Sequence, residues 1–214
     1  MAIKGLSIPI VANYAASKNT VTYSNGIVAG AAVEYTASWT TSEANNLYAD
    51  NKIKESEAGT FQSGELTLGT SDLTQDVSKL ILGLKEATFS YGESKEATEL
   101  VYDDDMKNPY LGFGIIELHQ NDDVDKYRAV FLPKVRFALP ENTATTKGET
   151  VERQTPRITR TIYRSDQSDS NYKHPWMMDA WFETESEAIA YLKAKMNITD
   201  AEAMSVVSNE EDNE

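Results

Sequence analysis

The sequence predicts a mainly β protein with a smaller helical part, an α+β chain built on antiparallel strands. Three observations carry this reading. Ala31–Thr41 alternates Val33, Tyr35, Ala37 and Trp39 with Glu34, Thr36, Ser38 and Thr40, the period-two pattern of a strand buried on one face and solvated on the other. Val124–Arg164 holds two long strand-like runs around a polar connection. Helical spacing with a capping signal is found near Asp72–Gly83 and again after Thr184.

Taken in order, Ile3–Val11 is apolar and β-branched and reads as a first strand, Ala12–Asn19 as a loop, Val21–Tyr23 as a short strand and Asn25-Gly26 as a turn. Beyond the strand at Ala31–Thr41, Ser42–Gly64 is polar, charged and rich in asparagine, with Leu47, Tyr48 and Ile53 embedded in it. It reads as a long loop. Structureless connections of this length are uncommon in compact domains and often bind or order against something. Two readings stand: a surface excursion, or a contact loop, which the apolar Leu47-Tyr48 pair favours. The next strand starts at Glu65, with Leu66 and Leu68 on one face.

Asp72–Gly83 reads as a helix. Asp72 caps it, Gln75 completes a capping box, Gly83 ends it, and Leu73, Val77, Leu80, Ile81 and Leu84 form a stripe that packs on a sheet. Glu86–Met106 reads as a hairpin. Its Asp103-Asp104-Asp105 run lacks the alternate ligands, glycine turn and distant glutamate of a calcium loop. Pro109–His119 reads as a strand and Asn121–Asp125 as the turn after it.

In the first of the two long runs, Lys126–Leu139, one parity holds Tyr127, Ala129, Phe131, Pro133, Val135, Phe137 and Leu139, and the other holds Arg128, Lys134 and Arg136, with Val130 and Leu132 among them. A period of two buries the first set and wets the charged one. Pro133 has no N–H to give to a ladder, which calls for an edge or a bulge. The second run, Glu149–Arg164, places Arg153, Arg157, Arg160 and Arg164 around Ile158 and Ile162. A dozen extended residues span about 40 Å, a length suited to walls. Trp176, Met178, Ala180 and Phe182 alternate in another strand. Thr184 and Glu187 then form a capping box for a helix to about Met196, striped by Ala188, Tyr191 and Leu192. The expected organisation is one domain over residues 1–199 and a disordered acidic tail over 200–214.

The composition narrows function. There is no cysteine, which removes disulfides and thiolate metal sites, and there are only two histidines, His119 and His174. No GxSxG elbow, HExxH pair or glycine-rich phosphate loop occurs, and among 34 acidic residues a pair such as Glu65 and Glu117 carries no glycosidase signal. The chain is expected to be no enzyme, to need no cofactor and to hold no metal. The net charge of −14 argues against a general DNA-binding patch. The N-terminus has no signal-peptide pattern and no run of 18 apolar residues exists, so no membrane anchor and assembly in a cytoplasm are expected.

The segments IKGLSIPIV, NNLYADNK, FQSGELTLGTSDLTQDVSKLILG, YLGFGIIELH and YRAVFLPKVRFALPENTATTKGETVERQTPRITRTIY resemble the major tail proteins of long-tailed, non-contractile phages. LYADN, GELTL with its helix, and KGETVERQTP are the most specific pieces. The resemblance runs from about Ile3 to Met196 and leaves out Glu86–Met106 and the tail. It implies a tail-tube β-sandwich, barrel-like in assembly, with a flanking helix and a C-terminal helix. Six subunits would form a ring, and stacked rings a DNA-conducting tube in the virion, built in the host bacterial cytoplasm. Implied partners are other copies, a tape-measure protein, a tail terminator or distal tail proteins, and DNA in transient, non-specific passage. By the same resemblance Asn45–Ser63, with Asn46, Leu47, Tyr48, Asp50, Lys52 and Ile53, is an inter-subunit contact loop. Arg128, Lys134, Arg136, Arg153, Arg157 and Arg160 belong to the lumen-forming sheet, and whether they face DNA or pair with carboxylates is open. Two other readings are a distal-end or hub component and a carbohydrate-binding sandwich using Trp39, Trp176 and Trp181.

Overall fold

The computed structural model describes residues 2–71, 73–121, 124–140 and 155–198. The first strand, β1 (Ala2–Ser17), is longer than its apolar run suggests. It reverses at Lys18-Asn19, where Lys18 takes a positive φ, and pairs with β2 (Thr20–Val28). Ala12–Ser17 is therefore strand and not loop, because the ladder to β2 holds these small residues extended. Asn25-Gly26 lies inside β2 at a register shift, opposite Ala12. Its left-handed Asn25 (φ 52°) makes a bulge and not a chain reversal.

The remaining strands are β3 (Ala32–Thr41), β4 (Asn45–Ala49), β5 (Lys52–Glu57), β6 (Phe61–Thr70), β7 (Lys85–Tyr91), β8 (Lys95–Val101), β9 (Tyr110–Asn121), β10 (Val124–Phe137), β11 (Arg157–Ile162) and β12 (Met178–Phe182). The helices are α1 (Gln75–Leu82) and α2 (Glu185–Lys195). The main sheet runs β2-β1-β9-β10-β11-β6-β3, with β12 beside β10, and every pairing is antiparallel. The protein is mainly β with two helices among the described residues, as its alternation predicts. Among the described residues no helix is long and apolar enough to cross a membrane.

The sheet folds over one core. Val11, Leu111, Phe113, Ile115, Val130 and Leu132 from β1, β9 and β10 meet Leu66, Leu68, Ile158 and Ile162 from β6 and β11. Helix α1 adds Val77, Ile81 and Leu82, so its apolar stripe covers the sandwich as expected. Its N-cap is Thr74, whose Oγ1 accepts from the Val77 N–H, two residues later than the expected start. Asp72 itself lies outside the described residues. Gly83 closes α1 at φ 65°, and a Cβ there would stand 2.6 Å from the Lys107 carbonyl oxygen, so glycine is required twice over. On the opposite face of the sheet, Ile10, Ala12, Ile116, Ala129 and Phe131 bury Ala188 and Leu192 of α2 and its C-cap Met196. The capping box at Thr184 and Glu187 forms. Gly114 lets α2 in: a Cβ there would meet the Leu192 and Met196 side chains at 2.9 Å.

Strand β10 departs from its expected single buried parity. Its register against β9 slips between Leu132 and Val135, around Pro133, whose carbonyl accepts from Tyr23 Oη at 2.9 Å. A bulge adds one residue and flips the faces. Val130 and Leu132 before it, and Val135 and Phe137 after it, therefore face the same core, while Ala129 and Phe131 lie under α2. Leu139, assigned to the buried parity, is exposed.

The expected long strand pair is also shorter than its sequence suggests. β10 meets β11 only over Val135–Phe137, and β12 takes the stretch Tyr127–Phe131 of the same edge. The connection and the first part of the second run, residues 141–154 with Arg153 and the KGETVE portion of the signature, lie outside the described residues, as does the acidic tail from residue 199.

Candidate assembly surfaces

Ser42–Gly64 is not a structureless loop. β4 and β5 pair antiparallel as a sheet of their own. They reverse at Asp50-Asn51, both at positive φ (52° and 61°), the conformation of a two-residue type I′ hairpin. Asp-Asn supplies that turn without the glycine that usually announces it, and β5, Lys52-Ile-Lys-Glu-Ser-Glu, has too few apolar residues to alternate visibly. β6 follows from Phe61, four residues ahead of the expected start. The six predicted contact residues lie together on this arm. Leu47, Tyr48 and Ile53 stand exposed, Tyr48 at 65%, and Tyr48 is the cross-strand partner of Ile53. Ser42 anchors the base, its N–H donating to the Thr60 carbonyl and its Oγ accepting from the Thr60 N–H.

A second arm comes from the predicted 86–106 hairpin. β7 and β8 form another isolated two-stranded sheet around Gly92-Glu93-Ser94. Lys85 Nζ reaches Asp103 at 3.1 Å and Asp105 at 3.3 Å, so two carboxylates of the Asp103–Asp105 run are occupied by an ammonium group. Those hydrogen bonds hold the Lys85 ammonium above its usual range.

The predicted basic residues of the long strands do not form one stripe. Arg128 donates to Asp179 (2.8 Å) and Glu117 (3.2 Å). Lys134 lies in the bulge and Arg136 beyond it: Lys134 pairs with Asp166 at 2.6 Å and Arg136 stacks on Tyr110 while donating to the Asn108 carbonyl. Arg157 pairs with Glu34 at 2.6 Å. Hydrogen bonds from Lys134 and Tyr14 hold the Asp166 carboxyl below its usual range.

Arg160, whose direction the sequence leaves open, takes neither of the two expected environments within this chain. It is 1% exposed, inside the core, because it shares the inward parity of Ile158 and Ile162. Its guanidinium lies 3.9 Å from the Phe113 ring centroid and 4.3 Å from that of Phe137. None of its three nitrogens has a hydrogen-bond partner among the described residues, and burial pushes the group well below its usual range.

Sequence reasoning also passed over a buried charged cluster. Glu117 and His119 on β9, both buried, lie 2.9 Å apart, and Arg128 closes on the same glutamate Oε2. Trp181 covers His119, with ring centroids 4.7 Å apart. The signal was present in the alternation of Glu117 and His119, but two polar residues on an inward parity read like a solvated face. Glu117 Oε2 is thus shared by His119 Nε2 and Arg128 Nη1, while the buried His119 Nδ1 has no partner among the described residues. The tryptophans separate: Trp39 and Trp176 adjoin at 4.8 Å beside Phe61, while Trp181 stands with His119 and Arg128.

No protein-family model matches the chain, and no curated protein matches it.

Proposed function

We propose that this chain is a structural subunit that assembles with its own copies into stacked rings, the tail-tube subunit of a long-tailed, non-contractile phage. One observation carries the proposal: the β4–β5 arm, which contains the resembling segment NNLYADNK, holds Leu47, Tyr48 and Ile53 in solvent on a two-stranded sheet with no further strand beside it among the described residues. An isolated hairpin of this kind is marginal in water, and an exposed apolar patch on a chain of high net charge marks an interaction site. The antiparallel sandwich with its covering helix agrees with the expected architecture.

The charges support passage of DNA over capture of it. Arg128, Lys134 and Arg157 are each engaged by a carboxylate of the same chain, and the whole chain is acidic. A bore of such subunits has few free cations to hold phosphate, so contacts stay weak and non-specific. Assembly in a host cytoplasm, six-fold rings and contacts with tape-measure, terminator or distal proteins belong to the same proposal. Deleting Leu47–Glu57 tests it: the product is a folded monomer by circular dichroism and gel filtration and forms no tubes. Normal tubes from that variant would remove the arm from the account.

A further inference from the structure

On the α2 face of the sheet the fold leaves a cavity of about 340 Å³, between β2, the last turn of α2 and the segment 167–172. Its size falls within the range of about 300–1,000 Å³ of small-molecule sites. Tyr23 and Phe131 form an aromatic wall, edge to face with ring centroids 5.5 Å apart. The Tyr23 hydroxyl donates to the Pro133 carbonyl, so Tyr23 offers the cavity its ring. Met178 adds a flexible, polarisable surface beside them.

One cation stands in the lining. Lys195 of α2 is half-buried, and its ammonium group lies 5.3 Å from the ring centroid of Tyr172 and 5.6 Å from that of Tyr191. It donates to Tyr172 Oη at 3.5 Å and Met178 Sδ at 3.6 Å, both long contacts. It makes no ion pair with a described residue. The rings return part of the cost of taking this charge out of water, and a bound counter-ion would return more. None of the described residues lining the cavity is Asp or Glu, in a chain with 34 acidic residues against 20 basic ones. The acids next to the lining residues in the chain are committed. Asp169 accepts from Gln167 Nε2 and from the Asn171 and Tyr172 N–H groups, and Asp166 and Asp179 are held by Lys134 and Arg128. The carbonyl end of α2 also lies here, so an anion is favoured only in direct contact with the ammonium group.

We infer that this cavity binds a small carboxylate with a flat apolar body. The body lies against Tyr23, Phe131 and Met178. The carboxylate accepts from the Lys195 ammonium group and from the Tyr172 hydroxyl, whose oxygen already accepts from Lys195. The site uses neither arm and stands independently of the self-assembling reading above.

Titration calorimetry of the full-length chain with naphthoate, and with its uncharged counterpart naphthylmethanol, tests this. The expected result is saturable binding of naphthoate at a single site per chain. The alcohol binds more weakly by roughly tenfold or more, the worth of a hydrogen bond to a charged group. Lys195→Met lowers the affinity for naphthoate by a similar factor and leaves that for the alcohol unchanged, a split that a merely structural lysine would not produce. Ala194→Trp, at an exposed lining position, fills the opening and abolishes binding of both while the circular dichroism spectrum stays the same. No saturable heat with naphthoate, equal affinity for acid and alcohol, or an unchanged naphthoate affinity in Lys195→Met overturns the inference. Binding that survives Ala194→Trp in a folded protein belongs to another surface and overturns it as well.

Discussion

Replacing Arg160 with methionine should make this protein more stable. The guanidinium is fully buried and lies between Phe113 and Phe137, with none of its nitrogens hydrogen-bonded to a described residue. Stacking on two rings returns part of the desolvation cost, about 2 kcal/mol or more for a desolvated contact. Unmade hydrogen bonds of a buried charged group cost about 1–3 kcal/mol or more each. Methionine keeps the unbranched shape and favourable sulfur–aromatic contacts. Exchanging buried charges for apolar side chains of similar volume is worth roughly 1–4 kcal/mol in favourable cases. In a chain of this size about 1 kcal/mol moves Tm by about 2–4 °C, so Arg160→Met should raise Tm by roughly 2–16 °C. Thermal unfolding of the unassembled protein, followed by circular dichroism at fixed concentration, reads this. A fall in Tm of similar size would show that the guanidinium has a carboxylate partner, and would refute the argument from its isolation.

Three further outcomes follow from the same packing. Glu117→Ala leaves His119 and Arg128 without their shared buried acceptor and should cost about 3 kcal/mol in urea unfolding; a change below about 0.5 kcal/mol would mean the cluster is solvated. Gly83→Ala puts a Cβ against the Lys107 carbonyl at positive φ and should cost at least about 1 kcal/mol. Asp166 is held below its usual range by Lys134 and Tyr14, so the folded state binds its proton less readily than the unfolded chain. Its contribution is present above the unfolded carboxylate pKa and is lost as pH falls through the lower folded value. Asp166→Asn should therefore flatten the decline in Tm on acidification below about pH 4; an unchanged slope would contradict this.

The parts legible in the sequence are those where one periodicity rules a whole element. β3 alternates cleanly and α2 carries its capping box, and both span close to the expected residues, but the face of β3 expected to be buried is not: Val33, at a register shift, and Trp39 are exposed. Pro133 was legible as an edge position or a bulge, but the consequence of the bulge was not: one added residue exchanges the faces of β10, so Val130 and Leu132 share a core with Val135 and Phe137. The β4–β5 arm drew attention through its apolar Leu47 and Tyr48 but was illegible as a hairpin, because Asp50-Asn51 makes its turn without glycine. Arg160 could not be placed from composition at all. Arginine at an inward parity reads as a wet face until Ile158 and Ile162 are seen to bracket it inside the core.

The central claim is that this chain builds a tube from its own copies. Electron microscopy of the concentrated, unmodified protein tests it most directly. The account predicts long tubes with a regular axial repeat and an open bore. Discrete rings that never stack would indicate a hub or distal component, and a dispersed monomer at every concentration would contradict the account.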